Sequence, residues 1–284
     1  MQLIFNAIAS AAVLAPAAIG FTLIFTLFRY TNFAVGAFLT TGAFAAWSMN
    51  ALGLPIWVGG MFAVVFGAGL LLASDRIVFA PLRGRNGGTL LLVSIALSVI
   101  IDNVIRFAYG TQIRAFDLPL RPPHTFAGLR FTPETLWVIG ISVLATLLVG
   151  ALLSFTRLGR AIRAVADNPS LASIRGLPVP RIEGAGILLA GALFGLSGTL
   201  VGLDLAIEPN LSLALAIPVI AAAIVGGLGS PLGAALGAVI IGMAEELTVA
   251  FISAPYKGAV GFIVIALVLL IRPQGLLGCL VERK

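Results

Sequence analysis

The sequence predicts an all-α membrane protein, a single bundle of about eight or nine membrane-spanning helices with one patterned polar segment on it. Three observations point there. Of 284 residues, 60% are hydrophobic and 10% charged, with mean hydropathy +1.13, whereas soluble domains carry about 25% charged residues. Nine apolar runs approach the about 20 residues that cross a bilayer as a helix. The one long polar stretch, residues 157–181, is organised as helix, break and helix.

Taken in order, the run at residues 3–28 lacks a basic leader and is too long for the apolar core of a secretion signal, so it reads as a retained span. Runs at 33–51, 55–73 and 89–107 follow. The connection at about 108–134 contains Pro119, Pro122, Pro123 and Pro133, which predicts an extended or turn-rich external loop. After the run at 135–155 comes the polar island, about 156–181, and then runs at 182–203, 213–227, 231–251 and 259–271. The run at 213–227 is short and ends in glycine, so a re-entrant segment, giving eight spans, is the alternative. No loop exceeds about thirty residues, too few for a soluble domain of about 50 or more, and no GxxxxGK[ST] phosphate loop occurs. The chain therefore reads as one transmembrane domain over 1–284 that carries no nucleotide-binding module.

Seventeen basic residues and a pI of about 10.4 suggest nucleic acid only superficially, because the charges sit in loops between apolar runs and read as topology signals. Placing the island inside puts twelve basic residues inside, Arg29, Arg76, Arg83, Arg85, Arg272, Arg283 and Lys284 joining its five arginines. Arg106, Arg114, Arg121, Arg130 and Lys257 stay outside, so the N-terminus is predicted external and the C-terminus cytoplasmic. One cysteine, Cys279, and one histidine, His124, cannot build a disulfide framework or a metal cluster. With no Ser/His/Asp set and no HExxH, nothing suggests an enzyme.

The island holds Arg157, Arg160, Arg163, Arg175 and Arg181 against the single acid Asp167, a net charge of +4. Asn168 suits an N-cap and Pro169 a first helical position, so a helix from about Leu158 to Asp167 should stop and another restart. Gly176 offers the left-handed residue that ends it. Ile162, Val165, Leu171 and Ile174 are predicted as apolar anchors for a partner. A plain basic loop touching anionic lipid is the simpler reading, but it requires neither the capped break nor Gly176.

Polar side chains at membrane depth are costly and usually face a cavity or partner. Asn6, Asn32, Asp102, Asn103, Asp204, Glu245 and Glu246 are the candidates; Asn32, Asp102, Asn103, Glu245 and Glu246 are predicted to line a solute path or gate, the alternative being helix capping and interhelical hydrogen bonds. Glycines at 226, 227, 229, 233 and 237 predict close helix packing or a hinge. Gly229, Gly233 and Gly237, spaced by four, would share one helical face. Gly191, Gly195, Gly198 and Gly202 form a second stripe.

Four stretches, NFAVGAFLTTGAFAA (32–46), GRAIRAVADNPSLASIRGLPV (159–179), AAIVGGLGSPLGAALGAVIIGMAEE (222–246) and YKGAVGFIVIALVLLIRPQGLLG (256–278), occur in an order and spacing that resemble the permease subunits of ABC importers for branched-chain amino acids. Val35 stands where members often carry histidine, and Pro218 where lysine is common. The resemblance implies a plasma-membrane pore formed with a second permease, by expectation a different one, above two cytoplasmic ATPase subunits and below an extracytoplasmic solute-binding protein. It implies no cofactor of the chain's own, since ATP is bound by the partners. The island then becomes the cytoplasmic coupling helix segment, with Leu158, Gly159, Arg160, Ile162, Arg163, Ala164, Asp167, Asn168, Leu171, Ala172 and Gly176 at the ATPase contact. A urea or short-amide permease of the same family is one alternative. An ion-gradient-driven secondary transporter, with spans broken at Pro16 and Pro218, is another, and it leaves the island without a role.

Overall fold

The computed structural model describes residues 1–84, 87–118, 124–126, 129–272 and 274–278. Each predicted apolar run is a helix, and the island supplies two more. In chain order these are α1 (Gln2–Phe28), α2 (Val35–Ala51), α3 (Ile56–Ser74), α4 (Gly87–Tyr109), α5 (Pro133–Phe155), α6 (Arg157–Asp167), α7 (Pro169–Ile174), α8 (Val179–Asp204), α9 (Leu211–Gly226), α10 (Pro231–Phe251) and α11 (Lys257–Ile271). A π-type turn, Asp75–Phe79, and a 3-10 turn, Ala80–Leu82, prolong α3. In the long loop, β1 (His124–Phe126) and β2 (Leu129–Phe131) pair antiparallel, the one sheet among the described residues. Arg85, Pro119, Arg121, Pro122, Pro123, Cys279, Arg283 and Lys284, which entered the loop, charge and cysteine arguments above, lie outside the described residues.

Among the described residues, seven helical stretches are long and apolar enough to cross a bilayer, namely α1, α3 with its extension, α4, α5, α8, α10, and α11 with the turn before it. With 17 and 16 residues, α2 and α9 are shorter, about 25 Å each at the helical rise. Even so, α9 does not re-enter. Its start adjoins Ile207, whose backbone pairs with Arg114, and at the island end the carbonyls of Val225 and Gly226 accept from the N–H groups of Leu276 and Leu277. Pro16 and Pro218 lie inside the uninterrupted helices α1 and α9, so neither marks a broken span.

Among the long spans, α1 and α8 are the most enclosed, and the shorter α2 and α9 are likewise largely buried. Buried residues make up 78% of the central window of α1 and 72% of that of α8, against 22% in α3, α4 and α5 and 11% in α11. The outer helices turn Leu, Ile, Val and Phe outward, which suits lipid, while the inner ones bury Ala and Gly among large side chains such as Phe21 and Phe194. In lipid, apolar side chains gain little by packing on each other, so helices associate where small residues let backbones approach. A Cβ on Gly195 of α8 would lie 2.1 Å from the carbonyl oxygen of Ala63 in α3, and one on Gly198 would lie 2.1 Å from that of Leu39 in α2. The same device joins α9 to α10, where a Cβ on Gly237 would lie 2.0 Å from the Ala222 oxygen and one on Gly233 2.3 Å from the Gly226 oxygen.

Gly229 departs from the predicted stripe. It sits in the turn before α10 with φ +101°, and the nearest atom to a Cβ there would be Thr26 Oγ1 at 3.9 Å. Helical spacing does not apply to it because α10 begins at Pro231, behind the Ser230 hydroxyl that accepts from Gly233 N–H. Gly227 also belongs to the turn, with φ +105° and Gly278 pressed against it.

Replacing Gly198 with Leu should lower stability by about 1–3 kcal/mol or more, as overpacking does. Gly69→Ala on α3, with nothing within 4 Å of the added Cβ, should be close to neutral. Thermal unfolding of the detergent-solubilised protein distinguishes the two.

Candidate coupling surface and intramembrane polar sites

The island folds as two capped helices. Thr156 Oγ1 accepts from Gly159 N–H at 3.2 Å to start α6, and Asn168 Oδ1 accepts from Leu171 N–H at 2.9 Å to start α7. Gly176, at φ +81°, ends it. The break and both ends follow the sequence prediction; the Thr156 cap leaves no trace in the sequence beyond a Thr three residues before Gly159.

The hairpin is seated on its own bundle. Ile162 and Val165 are 2% and 1% exposed, which corrects the expectation that they are free anchors. Burial against the bundle is why they are apolar. Gly159 is buried too, and a Cβ there would lie 2.1 Å from the Leu153 carbonyl oxygen. Arg163 donates to that same carbonyl, and Arg29, just past α1, donates to Ala166 O at 3.1 Å. Ala172 is buried. Leu158, Arg160, Ala164, Asp167, Asn168, Leu171, Ile174 and Gly176 face outward, with Leu171 51% and Ile174 82% exposed.

The polar residues of the spans fall into three places. Asn6, Ser10, Arg130, Asp204 and Glu246 line a cavity of about 250 Å³ at the end opposite the island. Beside it, Lys257 Nζ lies 3.3 Å from Glu245 Oε2 and 3.8 Å from Glu246 Oε1, and Ser10 donates to Glu246 at 3.3 Å. Asp102 is remote from these, accepting from Ser212 Oγ at 2.5 Å in a cavity between α4 and α9. Asn103, one residue on, points elsewhere and donates to Val99 O of its own helix. Asn32 is buried in the turn before α2, where its Oδ1 accepts from Ala34 N–H at 3.0 Å. Near it, burial and then the Asp75 carboxylate push the Tyr30 phenol well above its ordinary pKa. The five predicted path residues therefore do not form one site.

Comparison with known proteins follows this geometry. The family model described as "Branched-chain amino acid transport system / permease component" matches residues 3–271. The chain belongs to this permease family. It is an integral membrane permease component and not an enzyme. It is 27% identical to the high-affinity branched-chain amino acid transport system permease LivH of Escherichia coli K12, over 98% of this chain and 95% of that one. It matches BraD, the corresponding permease of Pseudomonas aeruginosa, at the same identity and coverage. A solved ABC transporter of the metal-chelate type, in an inward-facing conformation, is similar at TM-score 0.48 and 16% identity, covering 92% of this chain and 85% of that one.

In this branched-chain permease family member, one polar cluster escapes sequence reasoning. Arg83, after the 3-10 turn, lies 2.5 Å from Asp75 Oδ1 and 3.2 Å from Glu183 Oε2, and its guanidinium stacks 3.9 Å over the Phe28 ring. It thus joins the ends of α3 and α1 to the start of α8, immediately after the island. Partners a hundred residues apart leave no local spacing to read.

Arg83→Met should cost about 1–3 kcal/mol, since it leaves the largely buried Asp75 carboxylate without its cation. Asp75→Asn in the same background should then cost less than it does alone. A double-mutant cycle on thermal stability checks this non-additivity.

Proposed function

We propose that this chain is one permease subunit of an ATP-driven importer of branched-chain or closely related amino acids. Its island is the surface that docks on an ATPase, one of the two cytoplasmic ATPase subunits beneath the pore. The observation that carries this reading is the seated hairpin. A loop that only obeyed charge topology would have no need of two helix caps, a backbone contact at Gly159 and an arginine tie from α1. Rigid attachment to α1, α5 and α8 is what a part that transmits force requires, because a slack loop absorbs displacement. The exposed face of Arg160, Ala164, Leu171 and Ile174 is left to meet a partner.

On this reading the island end faces the cytoplasm, and the N-terminus is external. Arg29, Arg83 and the island arginines gather at that end, while Arg106, Arg114, Arg130 and Lys257 lie at the other, the bias that the positive-inside rule describes. A second permease completes the pore, by our reading a different chain, and a solute-binding protein delivers cargo to the outer end. The relatives' names support an amino-acid cargo, and ATP is held by the partners alone.

Ala164→Glu tests the island, because Ala164 is exposed and its change disturbs no packing. The variant should insert normally yet recover far less ATPase in a pull-down and lose most leucine uptake in membrane vesicles. Normal recovery and uptake would remove the docking role. Gly159→Glu is not equivalent, since its Cβ would strike the bundle.

A further inference from the structure

The cavity between α4 and α9 carries fixed charges of both signs on one helix face against an apolar wall. Its volume is about 330 Å³, within the roughly 300–1,000 Å³ of small-molecule sites. Asp102 and Arg106 stand one helical turn apart on one face of α4, within about 6 Å of each other at their Cβ atoms. From α9 and the residue before it, Ser212 donates to Asp102 Oδ2, and Asn210 Oδ1 accepts from the Arg106 guanidinium. Asp102 Oδ1 is shielded from solvent and has no hydrogen-bond partner among the described residues. The walls are apolar, formed by Phe33, Val99, Leu213 and Ala216.

We propose that this cavity is a subsite for the free α-amino acid zwitterion, an inference that rests on the function proposed above. The ligand ammonium pairs with the Asp102 carboxylate where it lines the cavity, offsetting the cost that its unpartnered buried oxygen carries. The ligand carboxylate takes the remaining N–H groups of Arg106, a planar donor set suited to it. The aliphatic side chain lies against Val99 and Leu213. Fixed charges of both signs at this spacing select a molecule that carries both. A lone carboxylate or a lone amine leaves one protein charge unmatched, and a neutral amide such as urea leaves two.

The test uses the full chain with its partners in membrane vesicles, with Cys279→Ser to clear the background and Val99→Cys as reporter in the cavity wall. Labelling by N-ethylmaleimide is followed with L-leucine, 4-methylpentanoate, which lacks the ammonium, and 3-methylbutylamine, which lacks the carboxylate. L-leucine should protect at concentrations about tenfold or more below either analogue, the discrimination expected when a partly buried charge is left unpaired. Adding Asp102→Asn should weaken leucine protection about tenfold and bring 4-methylpentanoate level with it. Adding Arg106→Gln should do the same for 3-methylbutylamine. A misfolded variant cannot gain an analogue, so the change in ligand ranking is diagnostic. Protection by leucine unchanged in both variants, or lost with the ranking unaltered, overturns the subsite while leucine uptake by the unmodified complex leaves the permease reading standing. Absence of leucine uptake by that complex overturns both.

Discussion

The bundle depends on backbones meeting where side chains cannot intervene. In water a helix is held to its neighbours by apolar side chains leaving solvent, but in lipid that force is missing between helices and contact geometry takes over. Here α8 supplies the geometry. Its Gly195 and Gly198 admit α3 and α2 to within carbonyl contact, and large side chains such as Phe21, Phe38 and Phe194 fill the space beside these close approaches. The outer helices α3, α4, α5 and α11 expose bulky apolar residues as well. The shortness of α2 and α9 is tolerable for the same reason: both are sheltered by other helices along much of their length, so their ends need not reach the headgroups.

Such packing leaves polar groups few places to go, and the structure sorts them by partner. Glu245 and Glu246 share Lys257, Asp75 and Glu183 share Arg83, and Asp102 holds Ser212. Glu183 and Asp102 thereby tie elements about a hundred residues apart, while Asp75, Glu245 and Glu246 find their cations close by in the chain. The Arg83 cluster lies beside the start of α8, where the island returns to the bundle, so the polar ties and the hairpin share one structural junction.

Much of the architecture was legible in the residues. The apolar runs placed nine helices, and Asn168-Pro169 placed the break in the island to the residue, because capping and proline chemistry act over a few positions and leave a local trace. What failed was whatever needed a second element. Ile162 and Val165 looked free because an amphipathic helix announces that it has an apolar face but not whether its own bundle or another protein covers it. Gly229 looked helical because a spacing of four does not reveal where a helix starts. The pairing of Arg83 with Glu183, and of Arg106 with Asn210, has no sequence signature, since nothing local links residues a hundred positions apart. The polar residues of the spans are visible in the sequence one by one, but their separation into distant places in the bundle is a property of the fold alone.

The contact between α9 and the segment near residue 277 bears on how the protein is made. Leu276 and Leu277 donate to Val225 and Gly226, carbonyls at the end of a helix that was synthesised about fifty residues earlier. Chains emerge from the ribosome in order, so during biogenesis α9 enters the bilayer with those acceptors unsatisfied. A stretch about fifty residues further along the chain is what closes them.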